Sequence, residues 1–161
     1  MTTPDVTARI VADHAQFYVY DSSLNPFEPF PTITERECRL GWTRNDNSIW
    51  YFTASQLWSH RLDIFVAPDP PAPGDSERML AHNLDLPTGN LEVHEQPGCS
   101  IFLRPGAYAI YLRAYNLGRQ TDEELPDSAF LARDDLERYE LFVVPGVTQT
   151  EGVISGKELL Y

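Results

Sequence analysis

Apolar and polar residues alternate with a period of two along most of the chain, which is the pattern of β-strands with one buried face. The clearest case is GAYAIYLRAYN, residues 106–116, where apolar or aromatic residues fill every second position from Tyr108 to Ala114. The Pro105-Gly106 pair that precedes it is a turn signal. Seven further strands are predicted, at 8–11, 16–20, 49–53, 59–68, 90–95, 99–104 and 139–144.

Eight or so short strands separated by proline and glycine predict an all-β fold, an antiparallel β-sandwich that forms one domain over residues 1–161. No segment has the length and the 3.6-residue period of a long helix. One short helix is expected at 127–136. Two connections are long, 22–47 and 67–77, and the prolines of the second favour an extended path over the surface.

The composition fits a packed globular protein. Hydrophobic residues make up 42% of the 161 residues and aromatic residues 12%, well above the range of disordered chains. The first residues lack a basic stretch followed by an apolar run, and no stretch approaches the roughly 20 apolar residues that span a bilayer. We therefore expect no membrane contact and a cytoplasmic location.

The two cysteines, Cys38 and Cys99, lie far apart in the sequence. A chain of this length does not depend on a disulfide framework, so we expect two free buried thiols. A single disulfide between them stays open.

The chain carries 12 basic and 24 acidic residues, a formal net charge of −12. This charge repels nucleic-acid phosphates and anionic membranes, so it argues against a nucleic-acid partner. It favours encounter with a basic protein, because complementary fields accelerate association. The alternative is that the acidity only keeps the protein soluble.

Half of the net charge lies in the stretch TDEELPDSAFLARDDLERYE, residues 121–140. We interpret the stretch as the connection between two late strands, fixed to the core by Phe130, Leu131 and Leu136. Fixed carboxylates would form a surface for a partner, whereas free ones would only be solvated. The candidate partner-binding acids are Asp122, Glu123, Glu124, Asp127, Asp134, Asp135, Glu137 and Glu140.

Tyr111, Arg113 and Tyr115 share the second face of the 106–116 strand. Two tyrosines and an arginine are typical hot-spot residues of protein interfaces if that face meets solvent. If a second layer covers the face, the same residues are packing. We include them as possible partner-binding anchors.

No catalytic residue, cofactor or metal ligand is predicted. The chain lacks a Gly-x-Ser-x-Gly elbow, and the closing SGKELLY lacks the glycine spacing of a phosphate-binding loop. The four histidines share no metal-binding spacing, and the acidic stretch lacks that of an EF-hand. A calcium- or carbohydrate-binding sandwich is the alternative function. The acidic stretch supplies oxygen atoms that could bind calcium. A cluster of aromatic residues could form a sugar platform: Trp42, Trp50, Tyr51, Phe52 and Trp58.

Several short segments together resemble the competence protein J family: ADHAQFYVYD, LEVHE, IFLRPGAYAIYLRAYNLG and RYELFVVPG. The resemblance covers roughly residues 10–146 apart from 22–47, so it also leaves out 147–161. It implies a non-catalytic acidic β-sandwich that blocks a basic enzyme, since the family includes an inhibitor of a DNA-entry nuclease. No inhibitory residues match position by position.

The resulting hypothesis is a non-catalytic inhibitor or immunity protein whose acidic face covers the cationic cleft of a nuclease or toxin. Carboxylates held where phosphates would lie mimic a nucleic acid. The sequence leaves the oligomeric state open.

Overall fold

Strands dominate the computed structural model, which describes residues 3–12, 14–55, 59–93, 98–156 and 158–159. The strands are β1 (Val6–Val11), β2 (Gln16–Asp21), β3 (Trp42–Arg44), β4 (Ser48–Phe52), β5 (Ser59–Val66), β6 (Arg78–Leu86), β7 (Asn90–Val93), β8 (Cys99–Phe102), β9 (Gly106–Tyr115), β10 (Arg138–Pro145) and β11 (Gly152–Gly156). The helices are α1 (Glu35–Leu40) and α2 (Asp127–Leu131). The predicted all-β class is confirmed.

The strands form two sheets. The larger sheet has the order β1-β5-β10-β9-β6-β11, and the smaller has the order β3-β4-β2-β7-β8. Neighbouring described strands pair antiparallel except β5 and β10, which run parallel. Because β5 and β6 also run in the same direction with β10 and β9 between them, the chain must cross the larger sheet between them.

The core lies between the facing sheets, where the predicted alternation places its apolar side chains. Ile110 and Leu112 of β9 point into it from the larger sheet, and Phe17 and Val19 of β2 from the smaller one. Each side chain of this size contributes roughly 1.5–3 kcal/mol when it is fully buried. The alternate residues of β9, including Tyr111, lie on the outer face of the larger sheet, which is turned away from the smaller sheet.

The structure has more elements than predicted. Strands β3, β6 and β11 were not predicted, and α1 lies within the connection that was expected to be a long loop. A capping box formed by Thr34 and Glu37 begins α1, and Gly41 ends it in the left-handed conformation. The predicted helix at 127–136 is shorter, because the chain leaves helical geometry after Leu131 to join the larger sheet. Among the described residues, no helix is long and apolar enough to cross a membrane.

Candidate functional site

Most of the acidic stretch lies in the connection between β9 and β10, residues 116–137, which we call the acidic connection; its last three residues, 138–140, begin β10. Hydrogen bonds close its base. The Asn116 side chain donates to the carbonyl oxygens of Asp134 at 2.7 Å and Leu136 at 3.1 Å. The Glu137 amide donates to the Arg119 carbonyl at 2.9 Å. The acidic connection is therefore a closed loop whose two ends hold each other.

The middle of the acidic connection is fixed to the sandwich by Phe130 and Arg9. The Phe130 side chain is buried, and the Arg9 guanidinium lies 4.3 Å from the centre of its ring. The same guanidinium donates to the Leu125 carbonyl at 2.8 Å and to the Asp127 carboxylate at 3.1 Å. Phe130 and Leu136 are buried, as predicted, whereas Leu131 is only half-buried. The acids between the two buried residues, Asp134 and Asp135, therefore lie on a backbone that is fixed at both ends.

Six of the eight candidate acids are exposed: Asp122, Glu123, Glu124, Asp127, Asp134 and Asp135. Asp134 pairs with Arg61 at 2.9 Å, and Asp135 accepts two hydrogen bonds of 2.7 Å from Arg133. The hydrogen bond from Arg133 lowers the pKa of Asp135 to about 2. These exposed ion pairs hold the side chains in place but contribute little stability.

Asp122, Glu123 and Glu124 form no ion pair with any described residue, so their charge is the least compensated on the acidic connection. Together with Arg9 and Arg119, they line a cleft of about 480 Å³. Three exposed acids without an ion-pair partner among the described residues therefore lie together at this end of the connection.

Glu137 lies inside the protein, with 2% of its surface exposed. Its carboxylate accepts hydrogen bonds from the amides of Ala54 (3.2 Å), Ser55 (2.8 Å) and Gly118 (2.7 Å) and from the Tyr139 hydroxyl (2.6 Å), and lies 3.1 Å from His60 Nε2. Burial acts to raise its pKa, but the hydrogen bonds and the charge of His60 bring the pKa below its usual value. We correct the prediction that Glu137 faces a partner, because it holds the interior together.

Glu140, Arg113, Tyr111 and Tyr115 lie on the outer face of the larger sheet. The Arg113 guanidinium donates to Glu140 at 2.8 and 3.1 Å and lies 4.8 Å from the centre of the Phe142 ring. Tyr111 is 6% and Tyr115 7% exposed. We correct the prediction that Tyr111 and Tyr115 anchor a partner, because their side chains are buried. Glu140 and Arg113 are half-buried and form an ion pair with each other.

Two arginines of this surface were not singled out in the sequence. Arg9 of β1 and Arg61 of β5 are register partners, and each extends to an acid of the acidic connection. Each occupies an outward position in an alternating strand, so the alternation predicts the face of the sheet on which it lies. The alternation does not predict that the acidic connection folds back onto the strands that carry the two arginines.

The aromatic cluster is packing in the part that the structure describes. Trp50, Tyr51 and Phe52 are buried and Trp42 is half-buried, whereas Trp58 lies outside the described residues. Tyr18 stacks on Trp50 with ring centres 5.1 Å apart, on the outer face of the smaller sheet. The four described rings therefore form no exposed sugar platform.

Cys38 and Cys99 are free thiols, as predicted, and both are half-buried. Burial raises the pKa of Cys99 to about 11. Because the thiolate is the nucleophile, Cys99 is poorly suited to covalent catalysis.

Acidic side chains do not converge as calcium ligands within the described ranges, which contain no group of three or more His, Cys, Asp or Glu residues able to hold a metal ion. His60 pairs with Glu137 and His82 lies in the core, while His94 is outside the described residues. The exposed acids instead point to separate arginines or to solvent.

Calcium is therefore expected to leave the thermal midpoint unchanged beyond the effect of ionic strength, since a ligand of the native state stabilises by mass action. Thermal melts with millimolar calcium, with magnesium at the same ionic strength, and with chelator would measure this. A rise with calcium alone that chelator reverses would favour the calcium-binding alternative.

No protein-family model matches the chain, and no curated protein matches it in sequence. Among solved structures, it is similar to ComJ of Bacillus subtilis, inhibitor of the DNA degrading activity of NucA, with a TM-score of 0.65, 14% identity and coverage of 89% of this chain and 98% of ComJ. A second similar structure is described as crocagin biosynthetic gene J, with a TM-score of 0.50, 12% identity and coverage of 86% and 95%. The predicted resemblance is thus confirmed at the level of structure, and the chain shares the fold of ComJ over most of its length.

Proposed function

We propose that the protein is a non-catalytic, cytoplasmic inhibitor or immunity protein that blocks a basic nuclease or toxin through the exposed acids of the acidic connection. The observation that carries the proposal is the fixation of this loop: its base is closed by hydrogen bonds and its middle is held by Phe130 and Arg9. Carboxylates on such a loop keep their spacing when the partner arrives. They bind without the entropic cost of ordering a free loop.

The charge distribution suits a cationic partner. The stretch 122–140 carries eight acids and two bases in a chain of net charge −12. Such a field steers a basic protein towards the loop and raises the association rate by one or more orders of magnitude at low salt. A nuclease cleft that binds phosphates offers the complementary charge, and carboxylates can occupy the phosphate positions.

The shared fold supports an inhibitory role and a nuclease as the partner. ComJ inhibits the DNA-degrading activity of NucA, and the match spans 98% of its chain. At 14% identity no contact residue can be transferred from ComJ. The contact surface proposed here rests on the charge and the geometry of this chain.

Neutralising the three uncompensated acids should slow binding of the partner. A pull-down from the native host followed by mass spectrometry would identify the partner. Stopped-flow association would then compare the parent chain with the variant Asp122→Asn, Glu123→Gln, Glu124→Gln. We expect the association rate at low salt to fall by about tenfold and its salt dependence to flatten, with a smaller effect on dissociation.

The matched control removes three exposed acids elsewhere: Asp46→Asn, Asp69→Asn and Asp85→Asn. It changes the net charge equally but leaves the acidic connection intact, so the rate should fall by less than about twofold. Equal effects of both variants would refute the acidic connection as the contact surface. Capture of no cationic protein, or of one whose activity the chain does not inhibit, would refute the inhibitory function itself.

A further inference from the structure

The outer face of the larger sheet carries a row of apolar side chains across four strands, which we call the aromatic row because three of its four members are aromatic. Phe65 of β5, Phe142 of β10, Tyr111 of β9 and Ala81 of β6 are successive register partners. The rings of Phe65 and Phe142 stack with centres 4.6 Å apart and planes inclined by 9°. No residue of this row is more than 8% exposed, although the face is turned away from the smaller sheet.

The segment that crosses this face is the proline-rich connection between β5 and β6, residues 67–77. It must pass two intervening strands, a distance of about 14 Å across the sheet. Four of its eleven residues are proline, which lacks a backbone N–H group and favours the extended polyproline conformation. The middle of such a segment has few amide donors, so it cannot form a regular strand ladder there and offers mainly its carbonyl groups and rings for contacts.

The attachments of the segment are few. At its ends, the Ala67 amide donates to the Val143 carbonyl at 3.1 Å and the Glu77 amide donates to the Ala114 carbonyl at 2.9 Å. In its middle, the Arg113 guanidinium donates to the Ala72 carbonyl at 2.9 Å. Arg113 is itself held by Glu140 and by the Phe142 ring, so the donor is pre-positioned for an extended backbone that lies over the aromatic row.

We propose that this outer face is a binding surface for extended proline-rich peptides, and that segment 67–77 occupies it within the same chain. Aromatic rings with a fixed polar donor are the means by which proteins recognise preformed polyproline segments. The proposal is independent of the acidic connection and of the inhibitory function. It explains why Tyr111 and Arg113, with the chemistry of interface anchors, are covered in the free protein.

A peptide added in solution tests the proposal once the internal segment is weakened. Residues 69–75 are replaced by glycine and serine at equal length, and the variant is titrated by NMR with the peptide APDPPAPGDSE. A second peptide has alanine at all four prolines. We expect the proline peptide to bind at least about tenfold more tightly than the alanine peptide. Arg113→Ala in the same variant should weaken the binding of the proline peptide, because the backbone carbonyl of its Ala72 loses its donor. Equal binding of both peptides, or none, would overturn the proposal.

A milder variant covers the case in which the glycine-serine chain does not fold. Pro71→Ala with Pro73→Ala keeps the length and the three hydrogen bonds named above. The amides of Ala67 and Glu77 should then exchange with solvent about tenfold faster, because the rings no longer hold the segment. Pro105→Ala, in an exposed loop, is the control. Unchanged exchange at both amides would show that the prolines do not hold the segment.

Discussion

Glu137→Gln is expected to lower the free energy of unfolding by about 3–5 kcal/mol, the usual cost of breaking a buried charge pair. The carboxylate accepts hydrogen bonds from three backbone amides and from Tyr139, and it lies beside His60. Glutamine offers one acceptor oxygen and places an NH₂ group against these donors, so several buried groups lose a partner. Urea unfolding at pH 7 measures the loss through the midpoint of the transition.

The matched control is Glu124→Gln, the same chemical change at an exposed position of the same connection. It should alter the free energy of unfolding by less than about 0.5 kcal/mol. Because the folded-state pKa of Glu137 is lowered, its contribution is present above its ordinary pKa of 4.5 and is lost as the pH falls below that value. The difference between parent and Glu137→Gln should therefore shrink below pH 4.5. Equal midpoints at pH 7 would contradict the structural role of Glu137.

The two acids show what the sequence can and cannot provide. Glu124 and Glu137 are both glutamates of one acidic stretch, and nothing local distinguishes them. Glu137 is buried because the loop after β4 and the start of the acidic connection meet at its carboxylate, which is a property of the tertiary fold. The anchoring role of Phe130 was predictable, since burying a large apolar side chain is favourable and the residues around it are acidic.

The alternation of apolar and polar residues predicted the sandwich, because inward residues alternate regularly with outward ones in strands such as β9. The alternation did not predict β6, where Leu80, Leu84 and Leu86 point into the core but His82 occupies the inward position between them. Histidine counts as a polar residue in such a pattern, so it interrupts the alternation. Strand β3 has only three residues and offers too short a pattern. In β11 the two apolar residues, Val153 and Ile154, are adjacent and lie between two glycines, so no alternation is visible.

The covered outer face of the larger sheet follows from topology. Alternation correctly placed Tyr111, Arg113 and Tyr115 on one face of β9 but could not tell whether that face meets solvent. The order of strands decides this, because β5 and β6 are parallel and separated, so the connection at 67–77 has to cross between them. The prolines predicted that this connection is extended. Its route across the sheet depends on which distant strands pair, and the local sequence does not show this.

His82 should make the protein lose about 2 kcal/mol of stability between pH 7 and pH 5, and His82→Phe should remove this loss. The side chain is fully buried, with its ring 4.3 Å from Trp42 and 5.9 Å from Tyr51 between centres. Neither ring nitrogen has a hydrogen-bond partner among the described residues. Burial, and to a lesser extent the charge of Arg44, lower the pKa of His82 from 6.5 to about 3.

The sign follows from proton binding. The unfolded chain protonates His82 near pH 6.5, whereas the folded protein keeps it neutral down to about pH 3. Between these values the unfolded state binds the additional proton, so acid favours unfolding. The stability is fully present above pH 6.5 and falls through the window in which most carboxylates remain ionised. This window separates the effect of His82 from that of Glu137, which begins near pH 4.5.

Urea unfolding at pH 7 and pH 5 would compare the parent, His82→Phe and the control Tyr51→Phe. Tyr51 lies in the same cluster, and burial raises its pKa, so its removal leaves the number of protons bound between pH 5 and 7 unchanged. The control should keep the acid loss, while His82→Phe should be at least as stable as the parent at pH 7, because it removes two unpaired buried nitrogens. An equal pH dependence in the parent and His82→Phe would show that protonation of this histidine does not oppose folding. A loss of pH dependence in His82→Phe alone would show that the same buried histidine that interrupts the alternation of β6 causes the loss of stability between pH 7 and pH 5.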